Sequence, residues 1–172
     1  RFDVLQWMDL ANDMFKGDSL ATQMVLHGIS MGGATTMLVS GEPQAPYVKC
    51  FVDDCGYTSV WDEFAHELKS RFGLPPFPIL YMSDFWCRLI HGWGFKDASA
   101  LKQVAKCDLP MMFIHGDKDD FVPTAMVYPL YEAKSEPKEL WLVPKAGHAV
   151  SYNKYPQEYT RRVDAFVSKY MY

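Results

Sequence analysis

The sequence predicts an α/β fold in which a parallel sheet carries helices on both of its faces. Segments with helical spacing alternate with short apolar segments along the chain, and this alternation is typical of parallel sheets. Polar residues do not alternate regularly with apolar residues in these segments, which indicates strands that are covered on both faces. Nucleophilic or acidic side chains follow these segments directly, where a sheet of this kind places its functional site.

The composition is that of one globular domain with a sizeable core. The chain has 172 residues, of which 49% are hydrophobic, and its formal net charge is −4. This charge argues against nucleic acid as a partner. No apolar run approaches the roughly 20 residues that a membrane span requires. The chain begins at Arg1 rather than at a methionine, so we expect the natural N-terminus to precede it, and no compartment follows from the sequence.

The first half of the chain supplies two of the predicted strands. Apolar residues at helical spacing predict a helix over Phe2–Phe15, with Gly17 as its stop. A strand over Gln23–His27 and a helix over Ala34–Ser40 follow, and a second strand covers Val48–Val52.

The middle of the chain predicts helices on either side of an irregular stretch. A helix covers Thr58–Arg71, with Thr58 or Ser59 as its cap. The stretch Phe72–Phe95 is rich in Phe, Trp, Pro and Met and is predicted to be irregular. Asp97 is predicted to cap a short helix that ends at Ala105.

The last third of the chain completes the alternation. Strands are predicted over Met111–His115 and Glu139–Val143, with a helix from Pro123 to about Ala133 between them. Pro156 begins the last helix, one face of which carries Val163, Phe166, Val167 and Tyr170.

The segment His27-Gly28-Ile29-Ser30-Met31-Gly32-Gly33 carries the clearest chemical signal. A G-x-S-x-G sequence between a strand and a helix is typical of a nucleophile elbow, which exposes a serine hydroxyl above a helix N-terminus. Side chains two residues to either side would clash in so sharp a turn, so glycines are expected at Gly28 and Gly32. We interpret Ser30 as a nucleophile; the alternative is a glycine-rich turn that only reverses the chain.

A serine hydroxyl needs a base within hydrogen-bond reach and a group that fixes the tautomer of that base. His148 is the best candidate base, because it lies among small residues in Ala146-Gly147-His148-Ala149, just after the last predicted strand. The alternative interpretation is a surface histidine in a loop.

Three aspartates compete for the role of the acid. Asp119 is favoured over Asp117 and Asp120 because it lies four residues before Pro123, which begins the next helix. Asp117 is expected to brace the turn, and Asp120 to face water or the helix N-terminus. The second choice is Asp53 or Asp54 after the second strand.

Together, the elbow at Gly28–Gly33, the stretch from His115-Gly116 through Asp119 to Val122-Pro123, and Gly147-His148 resemble the serine hydrolases of the α/β-hydrolase fold. The sequence Asp53-Asp54-Cys55-Gly56-Tyr57-Thr58-Ser59 is similar to a bacterial subgroup of esterases or peptidases. The resemblance implies cleavage of an ester, thioester or amide of a small molecule through an acyl-enzyme, without metal or cofactor. It assigns the nucleophile, acid and base to Ser30, Asp119 and His148, and one oxyanion donor to the backbone N–H of Met31.

The resemblance also has a gap. Members of the family have about eight strands, of which four precede the elbow, whereas this chain provides only the last four. We therefore expect residues 1–172 to be the C-terminal portion of a single α/β-hydrolase domain, with a cap-like insertion at about residues 60–106. The second oxyanion donor is absent, so an N-terminal segment or another chain is expected to complete the sheet. The alternatives are an acyltransferase of the same fold, or an incomplete chain that serves only as a binding or structural module.

The expected substrate wall is apolar and aromatic. It comprises Ile29, Tyr57, Phe77, Trp86 and Phe121, and ordinary packing over the sheet is the competing explanation for each of them.

Other residue types point to structure rather than chemistry. The cysteines lack C-x-x-C spacing and are predicted to be free thiols: Cys50, Cys55, Cys87 and Cys107. His27 and His115 precede glycines at strand ends and are expected to be structural. His66 lies in Glu63-Phe64-Ala65-His66-Glu67, which is not a zinc-binding H-E-x-x-H sequence and is interpreted as a solvated helix face.

Overall fold

The computed structural model describes residues 1–17 and 22–171 and contains one parallel sheet in that part of the chain. Its strands are β1 (Met24–Ile29), β2 (Val48–Asp54), β3 (Met111–Gly116) and β4 (Lys138–Val143). They lie in the order β1-β2-β3-β4, and each neighbouring pair is parallel. The predicted α/β class is confirmed, and all four predicted strands are present.

The helices occur in the predicted alternation with the strands. They are α1 (Phe2–Phe15), α2 (Met31–Ser40), α3 (Val60–Phe72), α4 (Ile79–His91), α5 (Ala100–Val104), α6 (Val127–Ala133), α7 (Ser151–Lys154) and α8 (Pro156–Val167). A single 3₁₀ turn, Thr124–Met126, stands between Pro123 and α6. Pro156 is at the start of α8, as predicted. The first residue of a helix donates no intrahelical hydrogen bond, so the lack of an N–H on proline costs nothing at this position.

The core lies on both faces of the sheet. On one face, Phe51 and Phe113 of the sheet pack with buried residues of α1, α2, α5 and α6. On the other face, Val52 and Ile114 pack with Tyr159 and Phe166 of α8. Right-handed crossovers place the connecting helices on one side of a parallel sheet, and the chain after β4 covers the opposite side. Helices on both faces are therefore confirmed.

The prediction that Phe72–Phe95 is irregular is wrong, because α4 occupies the centre of this stretch. The usual helical pattern is hidden because apolar residues occupy many of the exposed positions of α4, where Arg88 also forms ion pairs with Asp84 and Asp97, at 3.1 and 2.8 Å. Its outward residues are apolar and more than half exposed, and they are Met82, Phe85, Trp86, Leu89 and Ile90. A helix whose exposed positions are largely apolar lacks the usual sequence pattern of a surface helix.

The helix caps settle two further predictions. Ser59, rather than Thr58, caps α3, since its hydroxyl accepts a hydrogen bond of 3.0 Å from Asp62 N. The expectation that Asp97 caps the next helix is wrong. Ser99 caps α5 and accepts from Lys102 N, whereas the Asp97 carboxylate accepts from Gly94 N at 2.8 Å. Both caps follow the general preference for a short hydroxyl side chain at this position.

Strand β1 is at the edge of the four-stranded sheet and pairs only with β2 among the described residues. A groove of about 410 Å³ runs along it, between α1 and α2, and its lining includes Val4, Val25, Gly28 and Thr35. An uncovered strand edge is a ready template for further strands.

The four cysteines are free thiols, as predicted, and Cys50, Cys55 and Cys107 are buried. Within residues 1–17 and 22–171, no helix has the length and apolar character needed to cross a membrane.

Candidate active site

Ser30 occupies a sharp turn between β1 and α2. Its backbone has φ 56° and ψ −118°, a conformation that residues other than glycine rarely adopt. Two backbone hydrogen bonds hold it there: Ser30 N donates to Asp54 O at 2.7 Å, and Ala34 N donates to Ser30 O at 2.9 Å. The strained residue therefore lies at the carboxyl end of β1, with the N-terminus of α2 directly after it.

The two glycines of the elbow differ in what surrounds them. A Cβ placed on Gly28 would lie 2.1 Å from Gly32 O and 2.6 Å from Gly33 N, both of which are backbone atoms. A Cβ on Gly32 would meet nothing within 4 Å. The expectation that both positions require glycine is correct for Gly28 and wrong for Gly32, because the turn brings the backbone close only at the first position.

Gly28→Ala is therefore expected to destabilise the protein, by about 2–4 kcal/mol, because the backbone of the elbow must move to accept the methyl group. Gly32→Ala is the matched control and is expected to change stability by no more than about 1 kcal/mol. Thermal and urea unfolding of both variants measure the difference. Equal stabilities for the two variants would contradict this interpretation of the elbow.

The structure brings Ser30, His148 and Asp119 into one hydrogen-bonded chain. Ser30 Oγ is 2.7 Å from His148 Nε2, and His148 Nδ1 is 2.8 Å from Asp119 Oδ2. The three residues follow β1, β4 and β3 respectively, at the carboxyl edge of the sheet. This order allows Ser30 to donate to Nε2 while Nδ1–H donates to the carboxylate, which is the arrangement that a serine nucleophile needs.

Hydrogen bonds to both carboxylate oxygens hold Asp119 in place. While Oδ2 faces His148, Oδ1 accepts from Phe121 N at 3.1 Å and from Val122 N at 3.0 Å. Burial alone would raise the pKa of Asp119, but its contacts with His115 and His148 outweigh burial and bring the pKa down to about 2. The carboxylate is thus ionised at neutral pH and can stabilise a charged imidazole.

The competing acids are located elsewhere. Asp117 and Asp120 are exposed. Asp54 accepts from Tyr159 Oη at 2.9 Å and from Ser151 Oγ at 3.3 Å. Asp53 accepts from Gly56 N at 3.1 Å, and burial raises its pKa to about 8. The hydrogen bond to His148 Nδ1 is made by Asp119 and not by the second-choice acids.

The remaining histidines near the sheet make contacts within the protein. His115 is fully buried, with Nε2 3.0 Å from Val122 O and 3.5 Å from Asp119 Oδ2. Burial lowers the pKa of His115, but these two acceptors raise it overall. His27 Nε2 is 2.8 Å from Tyr159 Oη. The structural roles expected for His27 and His115 agree with these contacts.

Of the five residues predicted to form a substrate wall, the structure places Phe121 against the triad. Its ring centroid is 4.7 Å from that of His148. Ile29 adjoins Ser30 in the chain and is 48% exposed. Tyr57 is half-buried in the loop after β2. The ring of Phe77 contacts that of Tyr81, and the ring of Trp86 contacts that of Phe85, so these two residues pack on or beside α4 and not against the His148 ring.

The N-terminus of α2 offers backbone donors beside Ser30. Met31 is the first residue of this ten-residue helix, and the first N–H groups of a helix have no intrahelical acceptor. The side chain of Met31 points to solvent and is 71% exposed. The Met31 N–H is therefore available to a developing negative charge next to the Ser30 hydroxyl.

Glu63, in the first turn of α3, is a charged residue of the site that the sequence interpretation missed. It is only 6% exposed, and both of its carboxylate oxygens are buried without a hydrogen-bond partner among the described residues. Burial, reinforced by the nearby Glu67 carboxylate, raises the pKa of Glu63 to about 7, and the charges of His148 and Asp119 also act on it. The segment was interpreted as a solvated helix face; the only signal in the sequence was its position, just beyond the carboxyl end of β2.

The neighbouring His66 connects α3 to the loop after β3, which carries Asp119. His66 Nε2 is 3.1 Å from the carbonyl oxygen of Asp120. This contact is compatible with the interpretation of the segment as a solvated helix face, since the hydrogen bond itself is exposed.

Glu63→Gln is expected to change the pH dependence of turnover. Above pH 7 the wild-type carboxylate is ionised and can stabilise the imidazolium that forms on His148, whereas below pH 7 it is neutral, like glutamine. The variant should match the wild type at pH 5–6 and be about threefold to tenfold slower at pH 8–9, which corresponds to an interaction of roughly 1 kcal/mol. Profiles of kcat/KM from pH 5 to 9 measure this, with Glu132→Gln on the exposed side of α6 as the control. A constant ratio across the range would contradict the assignment.

Cys55, Asp119 and His148 have potential metal-ligating atoms that all lie within 4.8 Å of one another. Asp119 and His148 are already hydrogen-bonded to each other, so a cation bound by all three would have to displace that bond. Burial and the adjacent Asp54 carboxylate raise the pKa of the Cys55 thiol, which opposes the thiolate form that metals require. These contacts favour the hydrogen-bonded triad over metal ligation.

Comparisons with known proteins identify a family and a shared fold. The sequence model of the prolyl oligopeptidase family matches residues 3–172. An uncharacterised protein of Bacillus subtilis, YqkD, is 32% identical over 142 residues, which are 83% of this chain and 47% of that protein. Among solved structures, the Pyrococcus furiosus esterase Pf2001 is similar with a TM-score of 0.74 and 21% identity, covering 99% of this chain and 61% of the esterase.

A peptidase structure is also similar. The acylaminoacyl peptidase of Pyrococcus horikoshii superposes with a TM-score of 0.67 at 17% identity, over 96% of this chain and 26% of the peptidase. At these identities the two structures show that the fold is shared. The chain spans about half the length of the curated relative, and less than two thirds of either structure.

Proposed function

This chain belongs to the prolyl oligopeptidase family, a hydrolase family with relatives among esterases and peptidases of the α/β-hydrolase fold, and from that premise we propose that it is a serine hydrolase. The observation that carries the proposal is the continuous hydrogen-bonded chain from Ser30 through His148 to Asp119. The proposed substrates are small molecules with a carboxylic ester, thioester or amide bond.

In the proposed reaction, Ser30 Oγ attacks the substrate carbonyl carbon while His148 Nε2 takes the hydroxyl proton. The tetrahedral intermediate collapses as His148 gives this proton to the leaving alcohol, thiol or amine, and the acyl group remains as an ester on Ser30. Water then attacks the ester, with His148 as the base, and the carboxylic acid is released. Asp119 holds the imidazole in the required tautomer and stabilises its charged form.

The developing oxyanion is proposed to bind the N–H of Met31. A single donor stabilises the oxyanion only in part, since the loss of one donor typically lowers the rate of acyl transfer by about 10²–10³. The exposed edge of β1 supports the further proposal that additional strands, from the same protein or from another chain, pair with β1 and supply a second donor.

The segment between β2 and β3 is proposed to contain the cap-like insertion. Helices α3 and α4 support this, because α4 exposes most of its apolar surface instead of joining the core. We propose that the insertion ends before α5 rather than near residue 106. Ala100 and Val104 of α5 are buried in the main core, so α5 acts as the crossover helix from β2 to β3.

Covalent labelling tests the proposed nucleophile directly. A fluorophosphonate probe should give one adduct per chain, located on Ser30 by mass spectrometry of the digested protein. His148→Ala should strongly reduce labelling, because the hydroxyl then lacks its base. An adduct at another serine, or no adduct on a chain that also fails to hydrolyse p-nitrophenyl acetate, would contradict the proposal.

A further inference from the structure

Helices α3 and α4 line an open apolar groove of about 380 Å³. Its apolar lining consists of Phe64, Leu68, Phe72, Ile79, Leu80 and Phe95. We propose that this groove, which we call the α3–α4 groove, binds the acyl side of the substrate as an uncharged aliphatic or aromatic group of about six to ten carbon atoms. This inference rests on the proposed hydrolase function and specifies its substrate class.

A chain of ring contacts connects the α3–α4 groove to the triad. The guanidinium carbon of Arg71, at the rim of the groove, lies 5.0 Å from the ring centroid of Phe121. The Phe121 ring in turn lies 4.7 Å from that of His148. The hydrogen bond from His66 to the Asp120 carbonyl fixes α3 against the same loop. An acyl group on Ser30 that passes over Phe121 would therefore be directed toward this groove.

The charges at the rim favour an uncharged occupant. Arg71 and Glu67, the charged residues of the lining, form an ion pair with each other. Neither charge is thus left for a charged ligand, and the third polar residue of the lining, Ser83, donates its hydroxyl to Ile79 O at 3.0 Å. What the groove offers to a ligand is mainly apolar surface, which favours alkyl or aryl groups.

The size of the groove sets the expected length of the acyl group. A methylene group takes up about as much volume as one water molecule in the liquid, about 30 Å³. The groove of 380 Å³ therefore has room for roughly a dozen methylene groups. Because one side of the groove is open, a somewhat shorter chain is expected to be fully covered. An acetyl group would not reach the lining at all.

Two leucines, Leu68 of α3 and Leu89 of α4, provide the matched variants for a test. Leu68 lines the groove, whereas Leu89 is on the outward side of α4 and is 64% exposed. Leu68→Trp fills the groove, and Leu89→Trp adds the same side chain away from it. Phe64→Ala, which enlarges the groove, is a second variant in case the filled groove impairs folding.

The experiment compares kcat/KM for p-nitrophenyl esters from acetate to decanoate. The wild type should prefer octanoate to butyrate by at least about tenfold. Leu68→Trp should remove this preference, Leu89→Trp should keep the wild-type profile for every ester from acetate to decanoate, and Phe64→Ala should move the optimum toward decanoate. An unchanged octanoate preference in Leu68→Trp and Phe64→Ala, or a flat wild-type profile with normal acetate turnover, would overturn the groove assignment alone. Loss of Ser30-dependent turnover for every ester would overturn the proposed hydrolase function.

Discussion

Ser30→Ala is expected to lower kcat for ester hydrolysis by a factor of about 10⁴ or more. The methyl group cannot attack the carbonyl carbon, and His148 has no hydroxyl proton to accept. Any remaining rate would come from water held near the Met31 N–H and from substrate binding. Because the Ser30 side chain makes its hydrogen bond to His148 and not to the core, the fold should be unaffected.

The measurement is turnover of p-nitrophenyl butyrate with enzyme purified in parallel, together with thermal unfolding to show that the variant is folded. Ser168→Ala at the exposed end of α8 is the matched control and should retain wild-type activity. If Ser30→Ala kept more than a few per cent of the wild-type kcat, Ser30 would not be the nucleophile.

The strand–turn–helix at Ser30 was predictable because its signal is local. A run of apolar residues, a glycine-serine-glycine turn and a helix-compatible segment are adjacent in sequence, and backbone sterics allow few other arrangements of them. The convergence of Ser30, Asp119 and His148 was also predictable. Parallel strands end at the same edge of a sheet, so residues that follow different strands must meet there.

Helix α4 and Glu63 were not predictable, because tertiary contacts determine both. Most of the apolar residues of α4 are exposed, so its pattern contradicts the rule by which surface helices are recognised. Glu63 belongs to a helix with many charged residues, and only the tertiary fold buries its carboxyl group. Gly32 shows the opposite error, since a general rule about elbows predicted a steric need that the actual backbone does not impose.

Asp119→Asn is expected to lower kcat by a factor of about 10⁴ at neutral pH, through the tautomer of His148. The N–H groups of Phe121 and Val122 will hold the amide oxygen where Oδ1 now lies, which turns the amide NH₂ toward His148 Nδ1. Nδ1 must then accept a hydrogen bond, and the imidazole proton moves to Nε2. In that state Nε2 faces Ser30 as a donor and cannot take the hydroxyl proton.

Two further variants make this test specific to the acid. Asp117→Asn changes an exposed carboxylate of the same loop and should leave kcat within about twofold of the wild type. Asp54→Asn alters a carboxylate that accepts from Tyr159 and Ser151, so it should affect stability more than kcat. A loss of about 10⁴ in Asp54→Asn but not in Asp119→Asn would transfer the role of the acid to the end of β2. The reverse result would show that the acid acts from the loop after β3, where the hydrogen bonds from Phe121 and Val122 fix its orientation and the contacts with His115 and His148 keep it ionised.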